Sequence, residues 1–280
     1  MWTFTLEDLK SNKKDIIEKI AGEHGRNGVI SFCANVLDKR AYFTVDMNGK
    51  IKRKKMSYAI PASVLVNDDK MFIDCVADSI DFTEKTKIEK LERMNNIEDV
   101  KKNIFKLIVK GDCHFALKYC KELCMRNKEE FLKMMFTLSL MDNISFEKSL
   151  AVYSMKKYFE KYGYSDEVLY LTISYLAKMR ADFSEYENEC VKYENKNSFG
   201  ISKEELREQF KNNIEKYKTE KGLEILGYLA GLLAFDNYDN EEIFIAILKK
   251  KMETFEKGIL NDKILSEVSE EIFKNLSKEV

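Results

Sequence analysis

The side chains with the most recognisable catalytic spacing are Asp68 and Lys70, which match the Asp-x-Lys pair of one large class of magnesium-dependent nucleases. That chemistry needs a second acid to hold the ion while the lysine faces the scissile phosphate, and Asp74 is the candidate. The pair lies in an apparent turn between two apolar runs, and acid-rich turns are common. The nuclease is therefore an alternative hypothesis, and we assign no catalytic residue.

The largest group of candidate binding residues is basic and aromatic and surrounds a predicted β-hairpin. It comprises Tyr42, Lys50, Lys52, Arg53, Lys54, Lys55 and Tyr58. A basic ribbon with aromatic side chains can contact a phosphate backbone and stack on bases, with an affinity that falls as salt is added. The same lysines could instead protect an exposed strand edge from aggregation. Residues 101–150 add further positive charge, so a basic face could continue onto the first helices.

Three cysteines, Cys113, Cys120 and Cys124, recur at a spacing that places them along one helix face. Metal and iron–sulfur sites need converging ligands, usually with a short loop spacing that these cysteines lack. We interpret them as small buried apolar residues.

The chain also has two histidines, no zinc or di-iron motif, no phosphate-binding loop and no dinucleotide fingerprint. We predict no metal and no cofactor.

The glycine-rich stretch 22–28 includes His24 and Arg26, which could present donors to an anion. A nucleotide-binding glycine loop follows a strand, whereas this one follows a helical pattern. We interpret it as the stop of the first helix and a turn.

The elements that would position these residues fall into two predicted units. The first, residues 1–82, is a small α+β module of one helix and a short antiparallel sheet. Its strands are predicted at Val29–Leu37, on both sides of the Asn48-Gly49 turn, at Ser63–Val66 and at Met71–Val76. The only proline, Pro61, is expected in a segment that connects strands.

The second unit, residues 83–280, is predicted to be a helical bundle of about ten helices. Its apolar residues recur at helical spacing, and Ser202 with Glu205 forms a capping box. No repeat is recognisable, so irregular packing is favoured over a solenoid. Gly227 and Gly231 lie four apart in an apolar helix and predict a close approach by a neighbouring helix.

The composition limits the possible partners. The 280 residues include 47 basic and 48 acidic side chains, a formal charge of −1, so attraction to a polyanion must be local.

The N-terminus has no signal-peptide pattern, and the apolar run Ile225–Phe235 is about half of the roughly 20 residues that span a bilayer. We expect a reduced cytoplasmic protein without membrane contact.

The sequence therefore predicts a non-enzymatic binding or adaptor subunit. It would contact nucleic acid or an acidic protein surface through the basic hairpin and the adjacent helical face. Besides the nuclease, a pure protein-binding scaffold that uses a groove between helices stays open as an alternative. The pattern does not determine the oligomeric state.

Overall fold

The structure is a computed structural model. It describes residues 4–34, 36–37, 43–45, 51–53, 56–82, 96–142, 147–179, 181–196, 200–258 and 264–280. For 43–45, 51–53, 194–196 and 256–258 it describes the backbone alone. Statements about elements and contacts below refer to these ranges.

Helices account for nearly all of the regular structure. The α-helices are α1 (Leu6–Ser11), α2 (Lys13–Cys33), α3 (Ala59–Leu65), α4 (Asp69–Asp78), α5 (Ile97–Lys110), α6 (Cys113–Arg126), α7 (Lys128–Met141), α8 (Glu147–Tyr162), α9 (Asp166–Lys178), α10 (Ser184–Lys196), α11 (Lys203–Asn212), α12 (Glu220–Leu233), α13 (Glu241–Gly258) and α14 (Glu267–Glu279). A short 3₁₀ helix, Ile214–Tyr217, precedes α12. The predicted multi-helix bundle is confirmed, and α5 to α14 follow residue 82.

The predicted N-terminal α+β module is not supported. Residues Val29–Cys33 belong to α2, while the expected strands at Ser63–Val66 and Met71–Val76 lie almost wholly in α3 and α4. Short apolar runs do not distinguish a strand from a buried helix, and the helical alternative buries these side chains on the core. Among the described residues, β1 (Phe43–Val45) and β2 (Ile51–Arg53) form one antiparallel ladder, with Thr44 opposite Lys52.

Pro61 lies in the first turn of α3 and not in a segment between strands. The first backbone N–H groups of a helix have no intrahelical acceptor, so the missing donor of proline costs little there. Asp68 caps the next helix by accepting a hydrogen bond from the Met71 N–H at 2.8 Å. Local capping chemistry thus starts α4 where the sequence indicated a turn.

The glycine stretch 22–28 lies within the range of α2 and interrupts it at Gly25, whose φ of 65° and ψ of −174° are not helical. A helical segment thus ends in the predicted stretch, and a second one follows directly in place of the predicted turn and strand. Arg26 donates through its guanidinium to the carbonyl oxygens of Ala62, Val66 and Asn67 at the end of α3. It also pairs with Asp69 at 2.7 Å. Arg26 therefore ties α2 to the α3–α4 connection, and these contacts occupy the donors that an anion would need.

The core is continuous along the described chain, from Leu9 to Val280. Its central element is α12, which packs against α7, α8, α13 and α14. A Cβ on Gly227 would lie 2.9 Å from the Cβ of Leu150, and one on Gly231 would lie 3.2 Å from the Phe136 ring. The predicted close approach at these glycines is confirmed, since only the missing side chains admit α8 and α7 at that distance.

Two polar contacts join the N-terminal helices to the rest of the chain. The Tyr158 hydroxyl and the Asn27 side-chain oxygen lie 2.5 Å apart, and the Asn275 amide donates to the Leu65 carbonyl at 2.7 Å. In addition, α3 packs against α8 and α14. The division near residue 82 stays a prediction, because residues 83–95 lie outside the described ranges.

Gly222, in the first turn of α12, has the tightest surroundings of the glycines. A Cβ there would lie 1.8 Å from the carbonyl oxygen of Tyr217. The Thr219 hydroxyl caps the same turn by accepting from the Gly222 N–H at 3.1 Å. A side chain at position 222 would therefore force the Tyr217 backbone to shift.

Candidate nucleic-acid interface

The outer face of α5 carries a row of lysines. Lys102, Lys106 and Lys110 are spaced by four residues, so their Cα atoms follow one another at about 6 Å along the helix. All three are exposed, and none has an acidic partner within ion-pair distance among the described residues. This row is a local positive charge on a protein whose net charge is −1.

Two apolar side chains border the lysine row on the same helix. Phe105 is 36% exposed and Val109 is 40% exposed. The Phe105 ring stacks on Phe183, with 5.9 Å between the ring centroids and 26° between the ring planes. Phe183 therefore fixes the orientation of an aromatic ring that remains open to solvent.

The first turns of α6 present a second basic and aromatic group. Phe115 is 48% exposed, and the Lys118 ammonium lies 5.6 Å from its ring centroid. The exposed His114 packs edge-on against the same ring at 5.2 Å. Together, Lys102, Phe105, Lys106, Val109, Lys110, His114, Phe115 and Lys118 are called the α5–α6 face below.

Buried residues and caps of the helical pair α5 and α6 hold the α5–α6 face in place. Val100, Ile104 and Ile108 are buried along the opposite side of α5. The helix ends at Gly111 with φ 75°, a left-handed conformation suited to glycine, and Asp112 caps α6 by accepting from the Phe115 N–H. The turn between α5 and α6 contacts α9, because a Cβ on Gly111 would lie 3.3 Å from the Ala177 carbonyl oxygen.

Several other cations between residues 101 and 150 are already paired. Lys101 lies 2.5 Å from Glu130, a hydrogen bond that raises the pKa of Lys101. Lys121 pairs with Asp166 at 2.8 Å, and Arg126 pairs with the buried Glu122 at 2.5 Å. The basic excess that the sequence shows in this region is therefore concentrated on the α5–α6 face.

A buried ion pair supports the segment that carries Phe183. Lys148 and Asp142 are in contact and only 2% and 1% exposed. Lys148 also donates to the Met179 carbonyl oxygen at 3.3 Å, and Asp142 accepts from the Asp182 N–H at 3.4 Å. This pair thus anchors the chain on both sides of residues 180 and 181, just before Phe183.

Most of the residues predicted to bind through the basic β-hairpin lie outside the described part of the chain. Tyr42, Lys50, Lys54 and Lys55 lie outside the described residues, and the side chains of Lys52 and Arg53 are not described. Tyr58 is partly buried and packs against the core, and this burial raises its pKa. The hairpin contact stays a prediction, and Tyr58 is placed as a packing residue beside α3.

The residues of the nuclease hypothesis all belong to α4 or its cap. Asp68 is the cap, Lys70 is exposed in the first turn, and Asp74 forms an ion pair with Lys14 at 2.6 Å. Asp68 and Asp74 are six residues apart on one helical path, so their side chains point in different directions. The structure does not bring the two acids together on neighbouring strands, and the hypothesis stays a prediction without geometric support.

The three cysteines of α6 lie on its inner side. Cys120 and Cys124 are buried, and the Cys113 sulfur lies 3.2 Å from the Ser174 hydroxyl oxygen. Burial raises the pKa of all three thiols, that of Cys124 to about 11. In the described part of the chain, no three His, Cys, Asp or Glu side chains are grouped as metal ligands would be.

A groove relevant to the scaffold hypothesis lies between α7, α8 and the loop after α12. It is an open cleft of about 650 Å³ whose lining includes Leu132, Phe235 and charges of both signs, such as Lys133, Lys156 and Glu160. The mixture of charges and apolar groups favours no particular occupant. The scaffold interpretation therefore stays a prediction.

The chain has no detectable relative among known proteins. No protein-family model, no curated protein and no solved structure matches this chain. None of the described helices is both long and apolar enough to cross a bilayer.

Proposed function

We propose that this protein is a non-enzymatic binding subunit that contacts nucleic acid through the α5–α6 face. The observation that carries the proposal is the row Lys102, Lys106 and Lys110, exposed and without described acidic partners, beside exposed aromatic rings. The basic hairpin, Lys50–Lys55, is proposed from the sequence as a second contact. An acidic protein surface is the competing partner.

Electrostatics sets the expected strength and salt dependence. Each phosphate neutralised on a single strand contributes about −0.7 to the slope of log K against log salt. Lys102, Lys106, Lys110 and Lys118 together predict a slope of about −3 for contacts by this face alone. Such binding is measurable at low salt and weakens steeply as salt is added.

The test is the triple variant Lys102→Glu/Lys106→Glu/Lys110→Glu. Fluorescence anisotropy with a labelled oligonucleotide of mixed sequence, from 25 to 200 mM salt, gives the affinity and its salt slope. Because the charge of the row is reversed, we expect at least about a tenfold loss of affinity at low salt and a smaller slope. Circular dichroism checks that the variant remains helical.

The matched control reverses three exposed lysines elsewhere, Lys19→Glu/Lys216→Glu/Lys221→Glu. It changes the net charge by the same amount, so it separates a local site from a general field. Equal losses in both variants would refute a specific face. If neither the wild type nor the variants bind oligonucleotide while polyglutamate binds the wild type, the partner is an acidic protein surface instead.

The hairpin contributes a separate prediction. Replacing Lys52, Arg53, Lys54 and Lys55 with Glu should leave the helical fold intact and further reduce oligonucleotide binding. Unchanged binding at low salt would remove the hairpin from the proposal and leave the α5–α6 face as the contact.

A further inference from the structure

We infer that the α5–α6 face binds single-stranded nucleic acid in preference to duplex, with bases stacked on Phe105 and Phe115. This inference rests on the proposed function and specifies its ligand. It follows from which side chains of the described chain remain exposed and from what surrounds them.

Among the described side chains, the exposed phenylalanine rings both lie on this face. Among the residues with described side chains, no other phenylalanine or tyrosine is exposed; the remaining rings are buried or partly buried. The other exposed large apolar side chains are Leu6, Val109, Met125, Val191 and Ile264. The two open rings therefore lie on the same helical hairpin as the lysine row.

The combination of open rings and lysines suits a strand with accessible bases. A positively charged surface follows the phosphate backbone, while aromatic rings accept bases by stacking, in a manner that tolerates any base. Phe105 is held by its stacking on Phe183, and Phe115 contacts both Lys118 and His114. Each ring thus has a defined position and a charged neighbour for a phosphate.

A duplex cannot use these rings in the same way. Its bases stack on each other and present only their edges in the grooves, where recognition depends on hydrogen bonds. The exposed side chains of α5 are three lysines, Phe105, Val109 and, in the first turn, Glu98 and Asp99. The helix has no arginine or glutamine to pair with base edges, and its one asparagine, Asn103, is partly buried. Duplex contact would therefore be limited to phosphates and to lysine at guanine edges, without stacking on the two rings. Single-strand binding uses the stacking and should show little sequence preference.

The experiment compares a labelled 20-nucleotide thymidine oligomer with a labelled 20-base-pair duplex at one low salt concentration. We expect the wild type to bind the single strand more tightly. Phe105→Ala and Phe115→Ala should each weaken single-strand binding about five- to tenfold and leave duplex binding unchanged. Phe105→Tyr and Phe115→Tyr keep the ring and should restore most of the affinity.

Two control variants test whether the loss of affinity comes from the loss of an aromatic ring. Leu6→Ala removes an exposed apolar side chain from α1 and should change neither affinity. Since Phe105→Ala also removes the contact with Phe183, a thermal melt accompanies it, and Phe105→Leu keeps an apolar side chain without a ring. The leucine variant should bind like the alanine variant, because stacking and not bulk is lost.

The triple lysine variant distinguishes nucleic-acid binding by this face from a preference for single strands. If Lys102→Glu/Lys106→Glu/Lys110→Glu weakens binding to both ligands while the alanine variants change nothing, the proposed function survives and the single-strand inference is overturned. Equal or tighter binding of the duplex by the wild type also overturns it. If no oligonucleotide binds at low salt, both the inference and the proposed function fail.

Discussion

Replacing Lys148 with Met should strongly destabilise the fold, because it removes the cation that contacts a carboxylate in the protein interior. Asp142 is 1% exposed and Lys148 is 2% exposed, so water cannot take over the solvation of the acid. Removing one partner of such a pair typically costs about 3–5 kcal/mol. With a urea m-value of about 3 kcal/mol/M, the unfolding midpoint should fall by about 1–1.7 M.

The double variant Lys148→Met/Asp142→Leu gives the decisive comparison. Replacing both charges with apolar groups of similar volume is often nearly neutral, so we expect the double variant to recover most of the loss. The Asp182 N–H, which donates to Asp142 at 3.4 Å, loses its acceptor, and this should leave a residual cost of about 1 kcal/mol. The double-mutant cycle should therefore give a coupling of at least about 2 kcal/mol.

Urea denaturation followed by circular dichroism measures all four proteins of the cycle. A loss below about 1 kcal/mol in Lys148→Met, or a double variant as unstable as the sum of the two single variants, would refute the argument. Hydrogen exchange offers a local check, because the ion pair anchors the segment before Phe183. The Asp182 amide should lose protection in Asp142→Leu.

The remaining predictions concern other parts of the molecule. Burial opposes the charge on Glu185, but hydrogen bonds from two lysines, Lys250 among them, outweigh it and lower its pKa below the ordinary 4.5. Its stabilising effect is present above that value and is lost as the pH falls through the folded pKa, so Lys250→Met should flatten the acid limb of stability against pH. Burial raises the pKa of Cys33 from 9.0 to about 12. Its alkylation by iodoacetamide at pH 8, followed by mass spectrometry, should therefore be about a thousandfold slower in the native protein than in urea. Gly222→Ala should cost about 1–3 kcal/mol by overpacking, whereas Gly22→Ala, with no atom within 4 Å of the new Cβ, should be neutral or stabilising in the same urea assay.

The local sequence was sufficient where the stabilising interactions are themselves local. Ser202 and Glu205 form the capping box that their spacing predicts, and Thr5 and Asp8 form another at the start of α1. The apolar stripe Val100, Ile104 and Ile108 is the buried face of α5. These features depend on residues within a few positions of each other, so periodicity and capping preferences predict them.

The short N-terminal runs show where local information fails. Ser63–Val66 and Met71–Val76 have the β-branched and apolar composition of strands, yet α3 and α4 contain nearly all of both. The helical form buries Ile60, Phe72 and Val76 on the core. Intrinsic strand preference is a weak free-energy term, and burial against α2, α8 and α14 outweighs it.

Periodicity and composition were enough to predict a mainly helical protein with local positive charge between residues 101 and 150. They could not identify which cations are available to a ligand. Lys101 and Lys121 are paired with Glu130 and Asp166, which are 29 and 45 positions away along the chain. Charge neutralisation depends on distance in space, and only the packing of α5, α6, α7 and α9 leaves the lysines of the α5–α6 face beside two open aromatic rings.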